Sequence, residues 1–214
     1  MYALETLTVD RARARLADAA CREVFDYWDR LRGERAAPDR RELEPFDIAP
    51  ALGDMVLLET AGDDAVFRLA GSRLTLALGR ELRGGHLSSL WQEPDQRRLH
   101  ELLRLACTLP AGVFMDFDMR TVSGRNLDFE CVLLPLQLDG PVIRRLIGAV
   151  APVQRPYWLG TDPLEGFALR KAAFFPTRSD ALLASRQFRS HPVFDRATPR
   201  RTLRHLALYD GDLA

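Results

Sequence analysis

Side chains that could take part in chemistry are few in this 214-residue chain, and they lie far apart. The cysteines Cys21, Cys107 and Cys131 are widely separated, and no two have the C-x-x-C spacing of a metal or dithiol site. In a reducing compartment such cysteines are usually small, buried apolar residues. A redox sensor is the alternative, but nothing near them predicts the lowered thiol pKa that such a sensor needs.

Two aspartates come nearest to a catalytic pair. Asp116 and Asp118 share one face of a predicted strand, opposite its apolar face. We interpret them as solvated, because no pattern around them predicts the burial that shifts a carboxyl pKa. The sequence also lacks the G-x-x-x-x-G-K-[ST], H-E-x-x-H and G-x-S-x-G motifs, and Gly79, Gly84 and Gly85 do not have the spacing of a dinucleotide-binding loop. The sequence therefore predicts that the protein is not an enzyme.

The composition is that of a globular protein, with 47% apolar residues. No run approaches the roughly 18 uninterrupted apolar residues that a membrane-spanning helix needs. Arg11, Arg13 and Arg15 interrupt the N-terminal segment, where a secretory signal would have its apolar core. We therefore expect a cytoplasmic protein without a transmembrane segment.

The formal net charge is zero, but the charges are unevenly spread. Residues 170–214 carry nine basic and four acidic side chains, an excess of five positive charges. This tail is interpreted either as a flexible or weakly packed extension or as a docking segment for an acidic partner, a nucleic acid or an anionic membrane. Lysine occurs only at Lys171, and such a bias toward arginine along a whole chain does not by itself predict nucleic-acid binding.

The elements that position these residues begin with a predicted amphipathic helix over Asp10–Arg32, which Gly33 ends. Its apolar face must cover another apolar surface. A proline-rich linker follows, and then the hydrophobic period changes to that of strands and short helices. Strands are predicted over Asp54–Thr60, Ala65–Ala70, Val113–Thr121, Leu127–Leu138 and Val142–Pro152, and helices over Arg73–Leu78 and Asp95–Leu109.

The last three strands are joined by tight turns, so they must run antiparallel. Strands segregated from helices in this way indicate an α+β fold. The predicted organisation is an N-terminal helix and linker over residues 1–50, a compact domain over 51–164, and a basic extension over 165–214.

Several short motifs follow one another in a recognisable order. The chain resembles a PAS-like family of single-domain bacterial proteins, and the resemblance covers about Leu16–Leu164. The motifs that carry it are YW-x-x-LRG (Tyr27–Gly33), FRLAG (Phe67–Gly71), GRELRG (Gly79–Gly84), FE-x-x-LLPL (Phe129–Leu136), IGAV-x-P (Ile147–Pro152) and PYWLG-x-x-PL (Pro156–Leu164).

The resemblance implies a five-stranded antiparallel sheet whose concave face, with the internal helices, can enclose a small ligand. It implies a sensory or regulatory module that binds a small molecule or a signalling protein partner. Eleven apolar side chains are predicted to face inward as a candidate pocket, or to fill the core without leaving a cavity. They are Phe67, Leu69, Leu74, Leu78, Leu90, Leu99, Leu103, Met115, Phe117, Phe129 and Cys131.

The cofactor is unknown from the sequence. Haem-binding PAS domains take an axial histidine from the longest internal helix, where this chain has His100, although a lone imidazole is more typical of a partly exposed helix residue. The Asn-Cys-Arg-Phe motif of flavin-adduct PAS domains is absent. We expect a homodimer through the outer face of the sheet and through Val24, Tyr27, Trp28 and Leu31 of the first helix. An adaptor that uses the basic tail is the alternative.

Overall fold

The computed structural model of the protein describes residues 5–138 and 142–177, together with the backbone of residues 201–203 and 206–208. Four α-helices and seven strands form the main body. The helices are α1 (Val9–Arg15), α2 (Ala19–Arg32), α3 (Ser72–Leu78) and α4 (Glu93–Thr108), and 3-10 helices span Arg40–Glu42, Pro45–Ala51 and Leu87–Leu90. The strands are β1 (Glu5–Thr6), β2 (Met55–Ala61), β3 (Asp64–Ala70), β4 (Ala111–Thr121), β5 (Asn126–Gln137), β6 (Ile143–Pro152) and β7 (Leu164–Pro176).

The seven strands form one sheet in the order β1-β7-β4-β5-β6-β2-β3. Every pair is antiparallel except β1 with β7, so the antiparallel α+β prediction is confirmed. The remaining described backbone adds β8 (Arg201–Leu203) and β9 (Leu206–Leu208), which pair with each other. The prediction that a basic tail serves as a docking segment falls mainly on residues outside those that the structure describes.

The predicted N-terminal helix is in fact two helices. The Asp18 carboxylate accepts hydrogen bonds from the backbone N–H groups of Ala20 and Cys21 and therefore starts α2 as its N-cap. The chain bends at Leu16–Asp18, and α1 and α2 pack separately on the same face of the sheet.

The strand β7 corrects the predicted end of the domain. It pairs with β4 along its length, from Ala111 opposite Pro176 to Thr121 opposite Leu164. Residues 165–176 are therefore part of the sheet and not an extension. Two register shifts in this pairing break the alternation of buried and exposed residues in β7, so its sequence lacks the period of two that marks a strand.

Each face of the sheet carries its own apolar layer. The inner face, in contact with α3 and α4, presents Met115 and Phe117 from β4, whereas the outer face presents Phe114 from the same strand. The helix α2 covers the outer face with the fully buried Phe25 and Trp28. The prediction that the N-terminal helix covers the second face of the sheet is confirmed.

At each edge of the sheet, some of the backbone is already bonded to other backbone or side-chain groups. The N–H and C=O of Phe67 in β3 bond to the loop at Gly84 and Gly85. On the other side, β1 covers one end of β7, and the Asp95 carboxylate accepts the N–H of Leu169 at 2.8 Å. At these positions the edges do not offer the unpaired backbone that recruits a further strand.

Candidate functional site

An aromatic cluster fills the inner face where the sequence predicts a ligand pocket. The ring of Phe117 stacks on Phe167 at 4.8 Å and on Phe129 at 5.7 Å between centroids. Trp91 lies 5.0 Å from Phe117 and 5.2 Å from Phe167, with its ring tilted against both. These distances are those of favourable aromatic pairs, so the centre of the fold is closely packed.

The cavity that remains inside this cluster has a volume of about 10 Å³. Such a space is close to that of a single water molecule, whereas ligand pockets measure about 300–1,000 Å³. Six of the predicted inward residues line it: Phe67, Leu74, Leu90, Met115, Phe117 and Cys131. Four more are buried in the same layer: Leu78, Leu99, Leu103 and Phe129. These ten residues face inward as predicted, and among the described residues the layer that they form leaves no ligand-sized cavity.

The prediction is wrong for Leu69, whose side chain is 44% exposed. Leu57 pairs with Leu69, but the next residue, Leu58, pairs with Phe67. Arg68 is therefore the extra residue of a β-bulge, and the bulge turns Leu69 away from the face that Phe67 occupies. Strict alternation along β3 cannot reveal this displacement.

Two residues that complete the core, Trp91 and Phe167, are not among the inward residues predicted from the sequence. They form an isolated parallel bridge, and the N–H of Gln92 bonds to the carbonyl of Phe167. The apolar segment that ends at Trp91 is visible in the sequence, but Phe167 lies in a stretch predicted as an extension. The Trp91 Nε1 is buried and has no acceptor among the described residues.

His100 lies on α4 with its Nε2 buried and without a hydrogen-bond partner among the described residues. His100 does not line the inner cavity, and that cavity of about 10 Å³ does not have room for a porphyrin. The described ranges also contain no group of three or more His, Cys, Asp or Glu side chains that could hold a metal ion.

The cysteine environments agree with the structural interpretation. Burial raises the pKa of the Cys107 thiol to about 11. It also raises the pKa values of Cys21 and Cys131, and nearby Glu130 adds to both shifts. Thiols with raised pKa values are poor nucleophiles at neutral pH.

Acidic side chains occupy one end of the outer face. Asp116 is opposite Glu130, and Asp118 is opposite Asp128, across β4 and β5. Arg170 of β7 bridges the second pair, at 2.9 Å from Asp118 and 3.2 Å from Asp128. Burial raises the pKa values of Asp116 and Asp118, and both side chains are partly buried, so these two aspartates are less solvated than the sequence predicts.

Glu130 fixes the junction between α1 and α2 to the sheet. Its side chain is buried, and it accepts the backbone N–H groups of Ala17 at 2.8 Å and Asp18 at 3.1 Å. Burial raises the pKa of Glu130, although these two hydrogen bonds oppose the shift. The Cys21 thiol lies 3.7 Å from the Glu130 carbonyl. Glu130 is thus a positioning group for the N-terminal helices, and only its place in the FE motif marks it in the sequence.

The predicted partner surface is buried within its own chain. Val24, Tyr27 and Trp28 lie in the outer apolar layer, and Leu31 packs half-buried beside them. The indole N–H of Trp28 donates to the Pro135 carbonyl at 2.8 Å. In this fold these side chains are not accessible to a second copy, because the apolar face of α2 is packed against the sheet.

A second ionic cluster lies where the linker, α3 and the end of β6 meet. The buried carboxylate of Asp54 accepts hydrogen bonds from Arg73 Nε at 2.8 Å and from Arg155 at 3.0 Å. Gly71 must be glycine here, because a Cβ at this position would lie 2.2 Å from the carbonyl oxygen of Gly53. The close approach of these two segments explains the last residue of the FRLAG motif.

Comparison with known proteins agrees with this architecture. The sequence model of a family described as a PAS domain matches residues 16–151, which is more than half of the chain. The chain belongs to this family, whose members are generally sensory or signalling modules. No curated protein matches the chain. The described residues contain no helix that is long and apolar enough to cross a membrane.

Two solved structures are similar in part. A Rhodobacter sphaeroides LOV protein is 13% identical, with a TM-score of 0.40, over 49% of this chain and 61% of that chain. The chain therefore spans less than two thirds of that protein. The PAS domain of an HTR-like protein from Haloarcula marismortui is 14% identical, with a TM-score of 0.35, over 45% of this chain and 80% of that one.

Proposed function

We propose that this protein is a regulatory PAS module that acts through contacts with a protein partner and not through a small molecule held in its core. The observation that carries the proposal is the inner cavity of about 10 Å³, which the aromatic cluster around Phe117 closes. A sensor that encloses a ligand keeps a cavity of the ligand's size, and here side chains occupy that space.

The energetic cost of opening such a cavity supports the same proposal. Removing one large aromatic side chain from a core costs about 3–5 kcal/mol. A domain has a net stability of only about 5–15 kcal/mol. A ligand that displaced Trp91 or Phe167 would first have to offset a large part of that stability.

The backbone groups that are already bonded at the edges of the sheet limit the ways in which a partner can bind. A partner cannot add a strand at Phe67 in β3 or at Leu169 in β7, because loop and side-chain groups already occupy that backbone. We therefore expect partners to bind side-chain surfaces of the helices and connecting segments.

The proposal is tested on full-length protein purified from its own host under native conditions. Native mass spectrometry is expected to give the mass of the chain or a whole multiple of it, and the absorption spectrum to show only aromatic side chains. A bound small molecule or a visible absorption band would overturn the proposal.

A variant with an artificial cavity serves as a positive control for the absence of ligand binding in the wild-type core. Indole is expected to bind the Trp91→Ala variant, which has a space of its own size, and not the wild-type protein. Ligand-observed NMR measures both. Indole binding to wild type with similar affinity would show that the core opens readily and would also contradict the proposal.

A further inference from the structure

The outer face of the sheet is left uncovered at one end. The N-terminal helices cover this face as far as Glu130, which bonds to the junction between α1 and α2. Asn126 and Asp128 precede Glu130 at alternate positions of β5, so they share its face, and both are exposed. Their partners on β4, Arg120 and Asp118, lie on the same face. The fold therefore leaves a polar end of the sheet open to solvent.

A groove of about 530 Å³ lies at this end, within the size range of ligand sites. Two small residues of β7, Gly166 and Ala168, line it. Gly166 has a φ of 63°, and it is the unpaired residue where the register of β4 and β7 shifts. The polar groups around the groove come from Gln92, Asp118, Arg120, Asn126 and Glu165.

The carboxylate of Glu165 is available to a ligand. It is exposed, and it has no ion pair within the part of the chain that the structure describes. Arg120 stands opposite Glu165 across β4 and β7. The Arg120 Nε donates instead to Asn126 Oδ1 at 3.2 Å, which is on the β5 side. Arg120 thus bonds to its other neighbour and leaves the Glu165 carboxylate free.

A second negative charge remains beside Ala168. Asp118 stands opposite Ala168 across β4 and β7. Arg170 lies 2.9 Å from Asp118 and 3.2 Å from Asp128, so two carboxyl groups share one positive charge. Burial and the hydrogen bond with Asp128 raise the pKa of Asp118, as expected for a pair of carboxyl groups that lacks one cation.

The balance of charge at the groove identifies the kind of ligand. Three carboxyl groups and two guanidinium groups line or adjoin it: Asp118, Asp128, Glu165, Arg120 and Arg170. A ligand with one positive charge completes this balance. A planar guanidinium can donate to two carboxylates at once, whereas an ammonium is a compact point charge. An arginine side chain is therefore the occupant that these positions favour.

We propose that this groove, which we call the Glu165 groove, receives an arginine side chain of a protein partner. The guanidinium lies above Ala168 and donates to Glu165 and Asp118. The inference rests on the proposed function, because it names the surface and the chemistry by which such a module contacts its partner.

The chain's own C-terminal segment also contains arginines, but it is a less direct occupant. Thr177, just after β7, bonds to Pro110 at the end of the strand that is opposite to Glu165. Twelve extended residues separate Thr177 from Glu165, a distance of about 40 Å. A segment that follows Thr177 would have to return along the whole strand.

The test uses the full-length protein and a blocked tripeptide, acetyl-Gly-Arg-Gly-amide. Its citrulline counterpart is the control, since it has nearly the same shape and no charge. At low ionic strength, the arginine peptide is expected to shift the backbone NMR signals of Asp118, Glu165 and Ala168. It should bind at least about tenfold more tightly than the citrulline peptide.

Variants of the protein locate the binding site. Glu165→Gln removes one of the two carboxylates and is expected to weaken binding of the arginine peptide at least about tenfold. Glu101→Gln is the matched control, because Glu101 is an exposed residue of α4 outside the groove. Ala168→Arg places a guanidinium in the groove and should abolish binding. Thermal unfolding of the two glutamate variants should match wild type, because both side chains are exposed.

Four outcomes would overturn the inference. They are an arginine peptide that does not bind at about 10 mM, equal binding of the citrulline peptide, equal binding of the corresponding lysine peptide, and equal losses in Glu165→Gln and Glu101→Gln. A groove already filled by the chain's own C-terminal segment would give the first outcome, and it too would contradict a partner in trans. None of these outcomes bears on the native mass and absorption measurements, so the proposed function can stand if this inference fails.

Discussion

The inner and outer faces of the sheet each bury five aromatic side chains, but they hold their covers in different ways. The inner five are Phe67, Trp91, Phe117, Phe129 and Phe167, and the outer five are Phe25, Tyr27, Trp28, Phe114 and Phe175. Contacts among the inner side chains are almost purely apolar, and the Trp91 N–H lacks an acceptor in the described structure. The inner cover is bonded to β7 at the N-terminal end of α4, through Gln92 and Asp95. Outside, Glu130, Trp28 and Tyr27 each bond to a specific backbone group.

The two layers therefore differ in what they contribute. The inner layer contributes mainly to the stability of the fold, and the outer layer also determines the position of the segments that cover it. Apolar burial is non-directional, so the inner side chains contribute mainly to stability, and the bonds of Gln92 and Asp95 to β7 set the position of α4 at its N-terminal end. Hydrogen bonds to backbone groups are directional, and they set where α1, α2 and the linker lie on the outer face. The N-terminal segment is therefore a specifically docked part of the domain.

Deletion of residues 1–33 is expected to have the largest effect. Phe25 and Trp28 alone each contribute about 3–5 kcal/mol by the usual cost of truncation, which together approaches the whole stability of a domain. The shortened protein should lack cooperative unfolding by circular dichroism and should bind a hydrophobic dye. Phe25→Ala in the full-length chain is the milder control. A truncated protein that unfolds at the wild-type temperature would show that the outer cover is dispensable.

Trp91→Ala is expected to lower the free energy of unfolding by about 3–5 kcal/mol, because it leaves a cavity in the inner layer. Trp91→Phe should cost clearly less, since it keeps much of the volume and removes the unpaired N–H. Urea denaturation of both variants measures the difference. Equal losses would indicate that the indole N–H has a partner or that the cavity collapses.

Glu130→Gln is expected to cost about 1–3 kcal/mol, because an amide cannot accept both the Ala17 and the Asp18 N–H. Burial raises the folded pKa of Glu130, so its contribution is fully present below its ordinary pKa and declines as the pH rises through the folded value. The cost of the substitution should therefore shrink between about pH 4 and about pH 7. A cost that grows with pH would mean that the two hydrogen bonds outweigh desolvation.

Asp118→Asn is expected to have the smallest effect, below about 1 kcal/mol, because the pair with Asp128 is partly exposed. The folded pKa of Asp118 is raised, so ionisation of this residue destabilises the native state as the pH rises. The variant should be slightly more stable at about pH 7 and equal to wild type at about pH 3. Lower stability at neutral pH would show that the ion pair with Arg170 outweighs the repulsion.

The sequence predicts the layers of the fold better than the details of its site. Alternation along β4 correctly places Met115 and Phe117 on one face of the sheet and Asp116 and Asp118 on the other, because successive side chains of a strand point to opposite faces. Local interruptions are invisible to such a pattern: the bulge at Arg68 turns Leu69 outward, and Asp18 splits the first helix. Whether inward side chains leave a cavity depends on how they interlock in three dimensions, which spacing along a chain does not record.

The pairing of β7 with β4 also determines how much of this chain can be inherited or exchanged as a unit. The family match ends at residue 151, but the folded body reaches Pro176. A recombination point at the end of the match would leave the backbone of β4 open along eleven residues and would remove Phe167 from the core. The folded body is thus longer than the part that the family model matches, and a transferred domain must include β7 to keep its sheet intact.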